Sequence, residues 1–257
     1  MLTSTKNPRI QHIRKLQSSS RTRRDEKLFI VEGIRLAEEA LIAGWQPDVV
    51  LFTEDIDRRG QNIVLQFKNR GVEVLPVSPH VMQAASDTQT PQGILAVLPI
   101  KTLPIPENPD FLLILDGLRD PGNLGTILRT ARAAGVDSVL LTPGGVDPFS
   151  PKVVRAGMGA HFKLPIHIME WETIGKQFAG LTFFLADSSG GQTHYQSNFE
   201  APLALIIGGE AHGAGNQSQK LATSHIHIPM LGNAESLNAA VAAAILMFEV
   251  IRQRKEI

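Results

Sequence analysis

Ile228-Pro229-Met230-Leu231-Gly232-Asn233-Ala234-Glu235-Ser236-Leu237-Asn238-Ala239-Ala240 is the stretch from which the rest of the chain is best read. A short apolar strand ends at Pro229, which lacks the N–H needed to continue a ladder. A Gly-Asn loop follows, and then a helix that opens on polar residues and continues almost wholly in small apolar ones. Ser236 and Asn238 are poor helix-interior residues and good helix-start residues. Two hydrogen-bonding side chains beside the open N–H groups of a helix start make a place to hold a ligand.

Two loops upstream share this grammar. In Leu205-Ile206-Ile207-Gly208-Gly209-Glu210-Ala211-His212-Gly213 an apolar strand runs into glycines, which allow close approach to the backbone, with a carboxylate among them. In Leu115-Asp116-Gly117-Leu118-Arg119-Asp120-Pro121-Gly122-Asn123-Leu124-Gly125-Thr126-Ile127-Leu128-Arg129 a strand ends at Asp116. A helix then begins near Gly122 or Asn123 and buries Leu124, Ile127, Leu128 and Ala131. Asn123, Thr126, Arg129 and Arg132 fall outside that stripe. Singly, each loop also reads as an ordinary turn. Open α/β sheets, however, bind ligands beyond the C-terminal ends of their strands, and all three loops lie at such ends.

The rest of the chain alternates in the same way, so the fold class is α/β. Strands are expected at 28–31, 49–52, 72–77 and 94–98, with helices over 33–43, 61–69 and 79–85. A second series follows at 111–115, 138–141, 164–166, 182–186, 203–207 and 226–228, closed by a helix over 237–254. Between them lies Pro99-Ile100-Lys101-Thr102-Leu103-Pro104-Ile105-Pro106-Glu107-Asn108-Pro109, with four prolines in eleven residues. Such a segment cannot continue a helix or central strand and reads as a linker. The expected domains are a basic N-terminal arm at 1–26, a small α/β domain at 27–98, the linker at 99–109 and a larger α/β domain at 110–257.

Net charge is zero, with 25 basic and 25 acidic residues. Seven of the basic residues lie in residues 1–24, which hold no Asp or Glu, so the remainder carries 18 basic against 25 acidic residues, a net of −7. A basic arm on an acidic body suggests a polyanionic partner, and Arg21, Arg23 and Arg24 are its candidate phosphate contacts. The other reading of the arm is a solvated helix. There is no cysteine, which removes disulfides, thiol nucleophiles and Cys-based zinc sites. No apolar run is long enough to span a membrane, and Met1-Leu2-Thr3-Ser4-Thr5-Lys6 lacks the apolar centre of a signal peptide. A cytoplasmic protein is expected. The Rossmann, P-loop and nucleophile-elbow glycine motifs are missing. His225 and His227 share one side of a strand and read as structural, so no metal is expected.

Together the motifs resemble those of the SpoU/TrmH family, SPOUT-superfamily RNA 2′-O-ribose methyltransferases that use S-adenosylmethionine. Asn123-Leu124-Gly125 with Arg129, Gly208-Gly209-Glu210 with Gly213, and Ile228-Pro229-Met230 with Ser236-Leu237-Asn238 stand in the family's order and spacing. The segment from Asp147 to Ala160 is similar to the family's stretch between its first two motifs, and residues 27–98 resemble its accessory substrate-binding domain. The resemblance implies a C-terminal SPOUT α/β domain with a deep trefoil knot, preceded by a small α/β substrate-binding domain. It also implies a homodimer formed through the C-terminal domain. It places the cofactor against Gly208, Gly209, Ile228, Met230, Ser236 and Leu237, and the chemistry at Asn123, Arg129, Glu210, Ser236 and Asn238. Arg129 matches the family's proposed general base. A guanidinium titrates above ~12, so the alternative is that Arg129 holds the target phosphate while the proton leaves through Glu210, Ser236 or water. Arg119, Ser150, Lys152 and Arg155 are further candidates for RNA contact. Ribosomal RNA of the large subunit is the expected substrate ahead of transfer RNA. A non-catalytic RNA-binding factor on the same fold is the remaining alternative.

Overall fold

The computed structural model describes residues 1–188, 190–209, 213–232 and 236–254. The chain divides into two compact units. The first comprises Met1–Lys101 together with Asp147–Phe162, and the second comprises Thr102–Val146 and Lys163–Ile257.

In the first unit α1 (Pro8–Ser18) and α2 (Ser20–Glu26) precede β1 (Leu28–Glu32), α3 (Ile34–Ile42), β2 (Val49–Phe52), α4 (Arg58–Asn69), β3 (Glu73–Pro76), α5 (Pro79–Ala85) and β4 (Ile94–Pro99). The four strands form one sheet in the order β1-β4-β2-β3. β4 runs antiparallel to both neighbours, and β2 pairs with β3 in parallel. Successive side chains of a strand point to opposite faces, and here both faces are covered. Phe29, Val31, Val50, Ile94 and Ala96 pack under α3 and α4. Ile30, Leu51, Leu95 and Val97 pack with Ile10, Ile13 and Leu16 of α1 and with Val81, Met82 and Ala85 of α5.

The N-terminal segment is therefore not a free arm. Ile10, Ile13 and Leu16 are at most 1% exposed, and their spacing of three puts them on one side of α1. The basic residues occupy the other side, except for Arg23. That side chain is buried and donates from Nε and Nη2 to Asp147 at 2.8 Å, and from Nη1 to the carbonyls of Leu16 and Gln17.

The second unit begins with β5 (Phe111–Asp116), α6 (Pro121–Ala133) and β6 (Ser138–Leu141). The chain then contributes α7 (Pro151–Gly157) to the first unit before returning as β7 (Ile166–Ile168), α8 (Trp171–Gln177), β8 (Thr182–Ala186), β9 (Gln192–Thr193), β10 (Leu203–Gly208), α9 (Asn216–Leu221), β11 (Ser224–His227) and α10 (Ala239–Arg254). All seven strands are parallel, in the order β7-β6-β5-β10-β8-β11-β9. β5 and β10 lie at the centre and are buried along nearly their whole length, as strands covered on both faces must be. Strand order reverses direction between them, since β6 and β7 extend one way from β5 while β8 and β11 extend the other way from β10. The crevice at such a reversal is where parallel sheets place ligands.

Of the boundaries that differ from expectation, two do so for clear local reasons. β7 starts at Ile166 rather than Leu164, because Pro165 has no N–H to donate to the ladder. α6 starts at Pro121, whose fixed φ suits a first helical position, and the side chain of Asp120 caps it by accepting from the N–H of Asn123 at 2.7 Å.

Candidate active site

Because the strands are parallel and in register, Asp116 at the end of β5 lies opposite Gly208 at the end of β10. The backbone there leaves no room for side chains. A Cβ on Gly208 would lie 2.5 Å from the carbonyl carbon of Gly213, and one on Gly209 would lie 2.9 Å from the carbonyl oxygen of Gly117. Only glycine fits at either position. Gly209 and Gly213 close a narrow turn, with the N–H of Gly213 donating to the Gly209 carbonyl at 3.0 Å. Glu210 lies outside the described residues.

Beside this turn is a cavity of about 470 Å³, within the usual size range of small-molecule sites. Gly208, Gly209, Ile228, Met230, Ser236 and Leu237, the six expected cofactor contacts, all line it. Its deeper wall is apolar, from Ile207, Ile226, Ala242 and Leu246. Its polar groups are few: Asp187, Ser188, Ser236, Asn238 and His227 join the open backbone. Flat apolar walls beside exposed main-chain groups suit an adenine ring and its edge, and the thioether of Met230 adds a polarizable contact. The residues present thus fit S-adenosylmethionine. Asp187, Ser188 and His227 also line the cavity, although the sequence reading does not single out the Gly190-Gly191 pair after β8 and takes His227 as structural.

At the mouth, the first and third loops meet. Asn238 Nδ2 donates to Asn123 Oδ1 at 2.9 Å, and Asn238 Oδ1 accepts from the N–H of Ala240 at 2.9 Å. Asn238 therefore caps α10 and ties it to the start of α6, against which α10 packs. Arg129 lies further along α6 and is exposed, outside the lining of the cavity.

The expected RNA contacts separate into two groups. Arg21, Arg24, Arg119 and Lys152 are exposed. Arg23 is not available, since it is buried against Asp147. Ser150 precedes α7 with its Oγ buried, and Arg155 pairs with Asp87 at 2.8 Å while its Nη1 is buried. Arg23 and Arg155 thus tie the 147–162 segment into the first unit through Asp147 and Asp87, while the buried Ser150 Oγ makes no hydrogen bond among the described residues. His225 and His227 point Nδ1 at Asp187 and at the Gly190 carbonyl, at 3.3 and 3.0 Å.

Comparison with known proteins agrees with this layout. The model of the SpoU rRNA Methylase family matches residues 110–248, and that of the MRM3-like substrate binding domain matches residues 7–96. The chain belongs to the SpoU rRNA methylase family. It is an RNA methyltransferase of the S-adenosylmethionine-dependent kind. A 23S rRNA guanosine 2′-O-methyltransferase of Bacillus subtilis is 31% identical, covering 97% of this chain and 98% of its own length. The mitochondrial rRNA methyltransferase 3 of Mus musculus is 34% identical, covering 95% of this chain and 72% of its own. Among solved structures, an AdoMet-bound rRNA methyltransferase from Sinorhizobium meliloti superposes with a TM-score of 0.88 at 29% identity, covering 98% of this chain and 97% of that one. The SpoU methyltransferase AviRb from Streptomyces viridochromogenes, in complex with AdoMet, gives 0.86 at 27% identity, covering 96% and 99%.

Proposed function

We propose that the protein methylates a ribose 2′-hydroxyl of large-subunit ribosomal RNA, with the cavity beside Gly208 as its S-adenosylmethionine site. The observation that carries this reading is the Asn238–Asn123 bond, which joins the cavity-lining start of α10 to the polar start of α6. Bound there, S-adenosylmethionine supplies an electrophilic methyl group. The chain's own work is to orient the ribose and remove one proton. Asn123 and Asn238 set the positions of the two helix starts. The backbone at Gly208, Gly209 and Ile228, with Ser236 and Leu237, orients the cofactor. Arg129 grips the target phosphate as a planar fork, and Glu210, Ser236 or water takes the proton. The names of relatives that act on 23S rRNA support the choice of substrate.

The first unit and the exposed Arg21, Arg24, Arg119 and Lys152 hold RNA phosphates. The chain works as a cytoplasmic homodimer through its second unit, where Val241 and Phe248 leave an apolar strip of α10 about half exposed. The deep trefoil knot belongs to the same proposal. No helix among the described residues is long and apolar enough to cross a membrane.

Mapping ribose methylation across ribosomal and transfer RNA, with and without the gene, tests the substrate. Loss of one 2′-O-methyl mark in large-subunit RNA is expected, whereas loss in transfer RNA alone would reverse the assignment. Arg129→Lys tests the role of Arg129. The variant should bind S-adenosylmethionine normally and lose most single-turnover methylation, with the shape of its pH–rate profile retained. A profile whose limb moves by units would instead assign proton abstraction to Arg129.

A further inference from the structure

Asp116 belongs to none of the cavity-lining residues, yet its carboxylate ties together the loops that bound the cavity. Oδ2 accepts from the N–H of Gly215 at 2.8 Å and from the hydroxyl of Ser218 at 2.8 Å, while Oδ1 lies 3.3 Å from the hydroxyl of Thr142. Thr142 Oγ1 also accepts from the N–H of Gly117 at 2.9 Å. One carboxylate thus joins the exits of β5, β6 and β10. Ser218 is fully buried, and its single hydroxyl proton is shared between Asp116 Oδ2 and the Gly215 carbonyl, which lies 2.7 Å from Oγ. The result fixes the arm that follows Gly213, while Gly208 and Gly209 are held by the close approach of the Gly117 and Gly213 backbone.

We propose that Asp116 is a positioning residue for cofactor binding: it holds the 213–218 arm so that Gly213 keeps its place in the cavity wall beside Gly208 and Gly209. This rests on the reading that the cavity holds S-adenosylmethionine. Hydrogen bonds to a charged acceptor are the stronger kind, and two of them converge on a single oxygen here. Without them Gly213 and the arm that follows it must be fixed when the cofactor binds, and that cost lowers affinity. The exposed N–H of Gly215 can turn to water, so the fold loses less than the site does.

The test is calorimetric titration of S-adenosylmethionine into the full-length parent protein, Asp116→Ala, Asp116→Asn, Ser218→Ala and the Asp116→Ala/Ser218→Ala double variant, with thermal melting of each. Asp116→Ala should weaken cofactor binding by roughly tenfold or more. Asp116→Asn should recover most of it, because an amide keeps an acceptor oxygen for Gly215 and Ser218 and offers its NH2 to Thr142. Ser218→Ala should show a smaller loss, and the double variant should be no worse than Asp116→Ala, since both act through the same bond. RNA affinity measured without cofactor should stay at the parent value. Equal cofactor affinity in parent and Asp116→Ala would sink the role of Asp116 alone. Parallel loss of melting temperature, RNA affinity and cofactor affinity in every variant would also overturn it. Failure of the parent to bind S-adenosylmethionine would sink the assignment of the cavity, and this role with it.

Discussion

The two units use polar side chains in opposite ways. In the first, polar groups hold packed segments together, Arg23 and Glu32 from buried positions and Arg155 from a partly exposed one. Arg23 meets Asp147, Arg155 meets Asp87, and Glu32 accepts from Thr88 and from the N–H of Asp87. Around them lie Phe29, Trp45, Phe149, His161 and Phe162, with ring centroids between 5.2 and 6.5 Å apart. In the second unit the polar groups gather at the ends of a nearly all-apolar sheet, where Asp116, Asn123 and Asn238 fix loops around a cavity. The difference teaches that a bonded polar residue carries no functional meaning by itself. What it fixes, a packed segment or the rim of a cavity, decides whether its loss shows in stability or in binding.

The largest expected effect tests this contrast directly. Arg23→Ala leaves Asp147, whose side chain is 18% exposed, without its partner. Breaking a buried pair from one side costs about 3–5 kcal/mol, so denaturant titration should show a large loss of stability. A loss in RNA affinity with stability unchanged would return Arg23 to the RNA surface.

His161 should give the next largest effect. Burial holds its imidazole neutral and lowers its pKa from 6.5 to about 4, against the opposing pull of the Pro148 carbonyl and of Asp147. Its folded value lies below its unfolded one, so the unfolded chain binds the extra proton as pH falls. The stabilisation is therefore present above pH 6.5 and is lost between pH 6.5 and 4, by about 3 kcal/mol at full extent. His161→Phe should flatten that part of the stability–pH curve. A curve of unchanged slope would show that the ring titrates normally.

Asn238→Ala probes the opposite unit. It removes a helix cap, worth about 1 kcal/mol, together with the tie to Asn123, so melting should shift modestly while methyl transfer falls by a larger factor. A melting shift with full activity would make Asn238 a cap and nothing more. The smallest effect belongs to the exposed side of α2. Arg21 and Arg24 neutralised together should leave stability within about 0.5 kcal/mol. The salt dependence of RNA binding should become shallower, by roughly one unit of slope for each phosphate that the variant no longer neutralises. An unchanged slope would leave that side of the helix simply solvated.

The second unit is the more legible in the sequence, and for a physical reason. Its central strands β5, β6 and β10 are buried on both faces and read as continuous apolar runs, and its site residues sit where glycine, proline and capping side chains mark strand ends and helix starts. The six cavity residues follow from those marks together with the family resemblance. Asp116 reads only as the end of a strand, because a carboxylate that bonds residues 99 and 102 positions away has no local signature. The first unit hides more. The basic residues of the N-terminal segment draw attention to charge, while Ile10, Ile13 and Leu16 carry the helical stripe that fixes its place. Arg23 differs from Arg21 and Arg24 only in the side of α2 it occupies. That the Asp147–Phe162 stretch joins the first unit cannot be read from composition, since its apolar residues suit either sheet.

The return of that stretch to the first unit governs how the protein can be taken apart. The polypeptide passes from one unit to the other at residues 101–102, again at 146–147 and again at 162–163. A protease nick in the proline-rich 99–109 segment would therefore leave the halves joined through two further covalent strands. A gene fragment starting near Asp110 would retain Val154 and Phe162 while discarding the hydrophobic neighbours that bury them, and would be expected to aggregate. Because the chain crosses between the units three times, a recombinant half is better made by replacing residues 147–162 with a short polar bridge than by cutting at the prolines.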